Sequence, residues 1–413
     1  MLVNKKEKLQ YRKNQFIRFL KSRTGKAAAG VCAAAIVLIA GIYTWNKGSL
    51  TREGLALCRQ GDYAEAQTVF KNAVIADNMD PDNYVHLGIA CLGSSEYEDA
   101  KKQFQLALNL DEENQEAYRG MGIAAYKTGD YEGAIEYLNR ALDYSGINIG
   151  KMEYDILWYR ADAEKALEDY EAASVTYSAL LELEGDTALI RCFRGTMYCC
   201  LGDKEKAMED FDAAVKKKGN GYELFWNIYD SMDQAGWREE AVEYLKLTEQ
   251  PGYVDSDTAG SGDEVRRYQG MIDYICGDYK KAIERLSGDT LKKDEKAQEY
   301  LALAYEMNGD SAKALSIYLE QVGADNADAD DYNRIARYFI RCGQGEQAVI
   351  YLEQGISSFG KSDLQDLYYN MITAFESCGD YDGALDALKT YVSLYGEDDA
   401  AKHEQAFLKE RVS

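Results

Sequence analysis

The apolar and small residues of this chain recur in columns. Counting from Gly61 in GDYAEA, an alanine lies five residues on (Ala66), a bulky apolar residue nine on (Phe70), a small residue twelve on (Ala73), and a glycine seven before (Gly54). The alanine column continues through Ala100, Ala134, Ala173, Ala207, Ala241, Ala282, Ala314, Ala348 and Ala384. The bulky column continues through Phe104, Leu138, Tyr177, Phe211, Leu245, Leu286, Tyr318, Leu352 and Leu388. Gly61 itself recurs as Gly129, Gly202, Gly236, Gly277, Gly309, Gly343 and Gly379, with Ser95 and Glu168 in its place twice. The small residue upstream is Gly54, Gly88, Gly122, Ala161, Gly195, Gly270, Ala302 or Ala336, with Tyr229 and Ile372 as substitutes.

Neighbouring alanines are 34, 34, 39, 34, 34, 41, 32, 34 and 36 residues apart. A period of this length accommodates two helices of about 14 residues and two short turns. Ala66, Phe70 and Ala73 fall at i, i+4 and i+7, one face of a helix. A small residue on that face lets two helices approach closely, the bulky one fills the space beside it, and the glycine supplies a turn conformation that other residues resist.

The residues that fill these columns, seen in YVHLGIACLGSSEYEDAKKQFQLALNL (84–110) and YRGMGIAAYKTGDYEGAIEYLNRALDY (118–144), resemble the tetratricopeptide repeat family. The resemblance covers about residues 47–398, roughly 85% of the chain. It implies an all-α fold, a right-handed superhelix or α-solenoid of about ten helix pairs, whose first helices line a concave surface that holds peptides or partner proteins. Three units depart from the pattern. The unit at 154–187 opens with charged residues (160–165), the unit at 222–255 has Tyr229 where a small residue is usual, and Ser287-Gly288-Asp289 should cut short the second helix at 263–294. The family's proline at the repeat junction is mostly missing, with Pro81 near one of them.

Longer junctions occur at 145–153 and 251–262. The second, PGYVDSDTAGSG, is rich in turn residues and is the best hinge candidate, dividing the array into 47–250, six repeats, and 263–398, four repeats. AAKHEQAFLKERV (400–412), within a segment 399–413, reads as a polar capping helix over the last repeat.

Charge changes the picture at the N-terminus. The chain of 413 residues carries a formal charge of −24, from 47 basic and 71 acidic side chains. Residues 1–26 hold nine of the basic ones and only one acid, Glu7, which leaves 38 basic against 70 acidic residues elsewhere. A basic cytoplasmic arm of about +8 thus joins an acidic body. Between them, 27–45 (AAAGVCAAAIVLIAGIYTW) contains no charge. As a helix it would span roughly 28 Å, close to the hydrocarbon thickness of a bilayer. Tyr43 and Trp45 stand where an aromatic belt would sit. A buried core helix is the competing reading, and the flanking charge weighs against it. No small-x-small cleavage site follows the run, and Cys32 precedes most of it, against a lipoprotein signal. The expectation is therefore one N-terminal transmembrane signal anchor in a bacterial plasma membrane. The positive arm would stay in the cytosol and the body lie outside; a cytoplasmic body is the alternative.

Of the nine cysteines, Cys276, Cys342 and Cys378 each precede a turn glycine, and no CxxC pair occurs. Buried free thiols are expected. An export site would permit disulfides, so the odd count fits a reducing setting or a cytosolic body better. Only two histidines occur, His86 and His403, and P-loop, GxGxxG, GxSxG and HExxH motifs are lacking. No enzyme activity, cofactor or metal is expected. Asp130 and Glu132 fall on a repeat turn and read as a solvated face. The acidic stretch before Tyr332 lacks the glycine and closing glutamate of a calcium loop and reads as a helix start. An acidic body makes a poor nucleic-acid binder.

Residues ten, six and three before each turn glycine point away from the second helix. They give Arg119, Tyr126, Trp158, Asp162, Trp226, Asp230, Arg267, Tyr274, Asn333, Arg337 and Tyr369 as the partner-binding candidates. Aromatics and arginines dominate interface energetics. The competing reading packs these aromatics against neighbouring first helices. The family's cationic cradle for a terminal carboxylate is absent: Arg119 and Arg267 stand where a lysine would help, but Ile123 and Met271 replace the asparagine. A mixed apolar and charged segment, held by Trp158 and Trp226, is the expected ligand. The expected function is a membrane-tethered interaction scaffold; the alternative is a membrane-anchored chaperone or quality-control factor for secretion or envelope assembly.

Overall fold

A computed structural model describes residues 48–146, 150–360 and 364–411. The expected anchor at 27–45 and the basic arm lie outside them. Among the described residues, no helix is long and apolar enough to cross a membrane.

The described residues form 21 α-helices and one short 3₁₀ turn, without strands. The first helices of the ten pairs are α1 (48–60), α3 (Pro81–Gly93), α5 (Gln115–Lys127), α7 (Lys151–Ala166), α9 (Ala188–Cys200), α11 (Tyr222–Gln234), α13 (Gly262–Ile275), α15 (Glu295–Met307), α17 (Ala329–Arg341) and α19 (Gln365–Ser377). The second helices are α2 (Tyr63–Ala76), α4 (Tyr97–Leu110), α6 (Tyr131–Asp143), α8 (Tyr170–Glu184), α10 (Lys204–Val215), α12 (Arg238–Leu247), α14 (Tyr279–Leu286), α16 (Ser311–Val322), α18 (Gly345–Ser358) and α20 (Tyr381–Tyr395); α21 (Asp399–Lys409) closes the array.

The columns are the core. All ten alanines of the alanine column are 0% exposed, and no residue of the bulky column exceeds 2%. The upstream small residue makes room for the bulky one of its own pair. A Cβ on Gly88 would stand 2.6 Å from the Phe104 ring, one on Gly195 2.5 Å from Phe211, and one on Gly270 2.5 Å from Leu286. Each bulky side chain taken from water contributes roughly 1.5–3 kcal/mol. Tyr229, which replaces the small residue in α11, is itself buried and tilts against Trp226.

The turn works through backbone conformation and a cap. The eight turn glycines all have positive φ, between 69° at Gly343 and 88° at Gly309, and Ser95 and Glu168 adopt the same region at 61° and 60°. The aspartate that follows caps the second helix: Asp130 accepts from the Gly133 N–H at 3.0 Å, Asp169 from Ala172 at 3.0 Å and Asp380 from Gly383 at 2.9 Å. Asp130 is thus a helix cap as well as a surface acid. Ser95 is exposed, and the left-handed region costs a non-glycine residue roughly 1–2 kcal/mol. Ser95→Gly should therefore raise stability by on the order of 1 kcal/mol, read as a higher urea midpoint at unchanged slope. A lowered midpoint would contradict this account of the turn.

The departures in the pattern have local consequences. α14 spans only 8 residues and stops at Leu286, ahead of Ser287-Gly288-Asp289, which leads into the 3₁₀ turn. The acidic stretch before Tyr332 begins α17, where Asp328 and Asp331 form a reciprocal capping box. The final helix α21 buries Ala401 and Leu408.

Eight described cysteines are free thiols. Their expected burial holds for Cys91, Cys192 and Cys199, whose thiols burial pushes up to about 11, 12 and 12. It fails for Cys200, Cys276, Cys342 and Cys378, which are exposed. The last three are C-cap residues, leaving the helix just before the turn glycine. At that point the side chain lies beyond the packed face, so the recurrence reflects a turn position rather than a core one.

The described residues divide into two compact units, one up to Ala214 and one from Val215. Segment 251–262 lies inside the second, tied to the start of α11: the Asp255 N–H donates to the Asn220 carbonyl at 2.9 Å, and the Thr258 carbonyl stands 2.4 Å from where a Gly221 Cβ would be. Within each unit successive helices pack on one another, from α2 on α3 to α8 on α9 in the first and from α11 on α12 to α20 on α21 in the second. First helices also meet directly, α3 with α5 and α5 with α7 in the first unit, α11 with α13, α13 with α15 and α17 with α19 in the second.

Candidate functional site

The residues expected to face a partner divide into those that join one first helix to the next and those with a free edge. Arg119 on α5 donates through Nε to Asp155 Oδ2 on α7 at 2.6 Å. Arg267 on α13 pairs with Asp294, the N-cap of α15, at 3.0 Å, and lies 5.0 Å from the Tyr268 ring centre. Asn333 is buried and accepts from the Asn370 side chain on α19 at 2.6 Å. Tyr369 donates to Glu404 of α21 at 3.3 Å. Beside it, burial and the Glu404 carboxylate push Glu376 up to about 7. These contacts hold repeats in register.

In the first unit, Trp158 meets Tyr154, Tyr177 and Phe193 edge-on at 5.9, 5.7 and 5.4 Å and belongs to the cluster around buried Leu157 and Leu180. Tyr126 packs on Tyr131 and, edge-on, on Tyr159 at 5.7 Å. Burial raises the pKa of the Tyr126 hydroxyl and of the Asp162 carboxyl.

The second unit carries a run of rings that crosses three first helices. Trp226 lies 5.8 Å from Tyr300, which lies 5.4 Å from Tyr274, so rings on α11, α13 and α15 form one continuous run. Trp226, Tyr274 and Tyr300 are all part-exposed. Asp230 is exposed and accepts from Gln234 at 2.9 Å. Next to the run opens a cleft of about 320 Å³. Tyr274 and Tyr318 stand at its walls, Leu303 and Met307 supply apolar surface, and Arg334, Arg337 and Arg341 reach it from α17. The three arginines lie at i, i+3 and i+7, one face of a helix.

They are used differently. Arg341 is closed by Glu306, with Nη2 at 2.8 Å from Oε1 and Nε at 3.1 Å from Oε2. Tyr318 donates to the same carboxylate at 2.7 Å. Arg334 pairs with Asp331 through Nη2, while its Nε is buried without an acceptor. Arg337 is exposed and makes no ion pair or hydrogen bond among the described residues. Glu299, also in the cleft, is paired with Lys296 at 3.3 Å. Of these residues the sequence pattern selected only Tyr274 and Arg337. Arg334 and Arg341 sit one turn to either side of Arg337, and their spacing was the signal available for the arginine stripe.

Among the described residues, no group of three His, Cys, Asp or Glu side chains is placed to hold a metal ion.

Residues 85–146 match the family model for the tetratricopeptide repeat. No curated protein matches the sequence. Among solved structures, a tetratricopeptide repeat protein from Parabacteroides merdae shares 16% identity at a TM-score of 0.47, over 72% of this chain and 99% of that one. Pseudomonas aeruginosa PilF shares 16% identity at 0.41, over 51% and 94%. YrrB, described as a repeat protein of this kind with an unusual peptide-binding site, shares 23% at 0.37, over 46% and 95%. The matched stretch spans the second and third helix pairs, so residues 85–146 are tetratricopeptide repeats, and their alanine and bulky columns are buried in the same register in all ten pairs.

Proposed function

We propose that the chain is a membrane-tethered, non-enzymatic interaction scaffold that holds an extended segment of a partner protein along its first helices. The observation that supports this reading is the run of Trp226, Tyr274 and Tyr300. These large rings touch across three first helices, yet none is fully buried. Aromatic anchors on a rigid frame dominate binding energy at interfaces, and stacked helix pairs present such residues over an extended surface. In this proposal residues 27–45 are the tether, with the arm in the cytosol and the repeats outside.

The test uses the full chain in its own cells, with a photo-crosslinking residue at Leu303 on α15 or at exposed Ile350 on α18. Position 303 should give one or a few discrete adducts and position 350 none. Adducts from 350 alone would move the partner off the first helices. A broad ladder of adducts from 303 would favour the chaperone reading. Protease added to spheroplasts of the same cells should remove the body; a protected body would place it in the cytosol.

A further inference from the structure

We propose that the cleft between α15 and α17 takes an aspartate or glutamate side chain from the interior of an extended partner segment, with a neighbouring aliphatic residue of that segment on Leu303 and Met307. The inference rests on the scaffold reading above and names the chemistry of one subsite.

The cleft holds unfilled donors. Glu306 satisfies Arg341, and Tyr318 fixes Glu306 in place, so that pair is complete. Arg334 spends one edge on Asp331 and leaves its Nε buried without an acceptor. Arg337, one turn further along α17, is exposed and unpaired among the described residues. A buried donor left without an acceptor is destabilising. Planar carboxylates match the fork of a guanidinium, so a carboxylate entering the cleft meets the open edge of Arg337, with the Arg334 charge one turn away.

The rest of the cleft narrows the ligand. Met307 is 56% exposed beside Leu303, an apolar platform next to the arginines. Glu299 and Glu306 line the same cleft, so a group of single charge fits it better than a phosphate, which carries about −1.5 to −2. First-helix surface continues beyond the cleft through part-exposed Tyr274 and Tyr300 on one side and part-exposed Asn370 on the other. A segment can therefore run through the cleft, and its carboxylate comes from a side chain rather than a chain end.

The full chain, solubilised in detergent, is used to select from a displayed library of random peptides whose C-termini are blocked by fusion, and in parallel from one with free C-termini. The expected result is enrichment of Asp or Glu next to Leu, Ile or Met in the blocked library. Arg337→Glu should abolish that enrichment, and a synthetic blocked consensus peptide should bind this variant about tenfold more weakly, as should its Asp→Asn form to the parent. Arg337 is exposed, so the variant is expected to fold, and unchanged far-UV circular dichroism checks this. Enrichment confined to free C-termini, enrichment without acidic residues, no enrichment at all, or the same enrichment with Arg337→Glu would each overturn the proposal. Position 303 crosslinks distinguish the two failures: if they persist, only the carboxylate subsite falls, and if they are absent, the scaffold reading falls with it.

Discussion

Phe104→Ala should cost about 3–5 kcal/mol, the range for removing a fully buried aromatic side chain, and should open the first unit locally while the second stays closed. The ring is 0% exposed. It lies between two glycines of successive first helices: a Cβ on Gly88 would stand 2.6 Å from it, and one on Gly120 2.3 Å. Neither glycine has a side chain that can move into the space the ring leaves. The cavity therefore persists, and its cost adds to the lost transfer energy. Because each repeat contacts chiefly its neighbours, hydrogen-exchange protection should fall across α3–α6 and hold in α13–α20. Uniform loss across both units would show that the array unfolds as one block. Unchanged protection in α3–α6 would show that Phe104 is not the wedge between these pairs.

What the sequence made legible follows from where the energy lies. The alanine, bulky and small columns are set within a single repeat, at fixed offsets from the turn, so they can be read along the chain and all prove buried. The short α14 was legible for the same reason, since Ser287-Gly288-Asp289 acts on its own neighbours. The site was legible only in outline, because its chemistry is decided between repeats. Arg119 and Arg267 carry the residue type of a binding face, yet Asp155 and Asp294 on the following repeats occupy them. Nothing within the repeat that holds Arg267 announces that pairing. Conversely, Arg337 gains its role from what its neighbours lack: Glu306, contributed by α15, closes Arg341 and leaves Arg337 open. The exposed cysteines show a third limit. Cys276, Cys342 and Cys378 recur as regularly as core residues do, and regularity of position does not distinguish a packed helix face from a helix end.

Ala241→Trp should be among the most damaging single substitutions in the second unit, at about 1–3 kcal/mol or more for overpacking. Ala241 on α12 is 0% exposed, and so is Leu245 one turn on. In most pairs the first helix offers a glycine or alanine in register with this column; here it offers Tyr229, itself 4% exposed. The pair has already used the space that a small residue would have left, so an indole can enter only by pushing α12 off α11. Ala207→Trp, in a pair where Phe211 fills the space beside Gly195, should be damaging by the same overpacking. Urea unfolding of the two variants against the parent at matched slope measures the loss. Exchange should accelerate in α11–α13 of the Ala241 variant. The Arg337 cleft, built from α13, α15, α16 and α17, shares only α13 with that region, so peptide binding there should weaken far less than α11–α12 protection does. Equal midpoints for both variants and the parent would mean that the alanine column is not the contact face of the pairs, and the register of all ten would have to be redrawn.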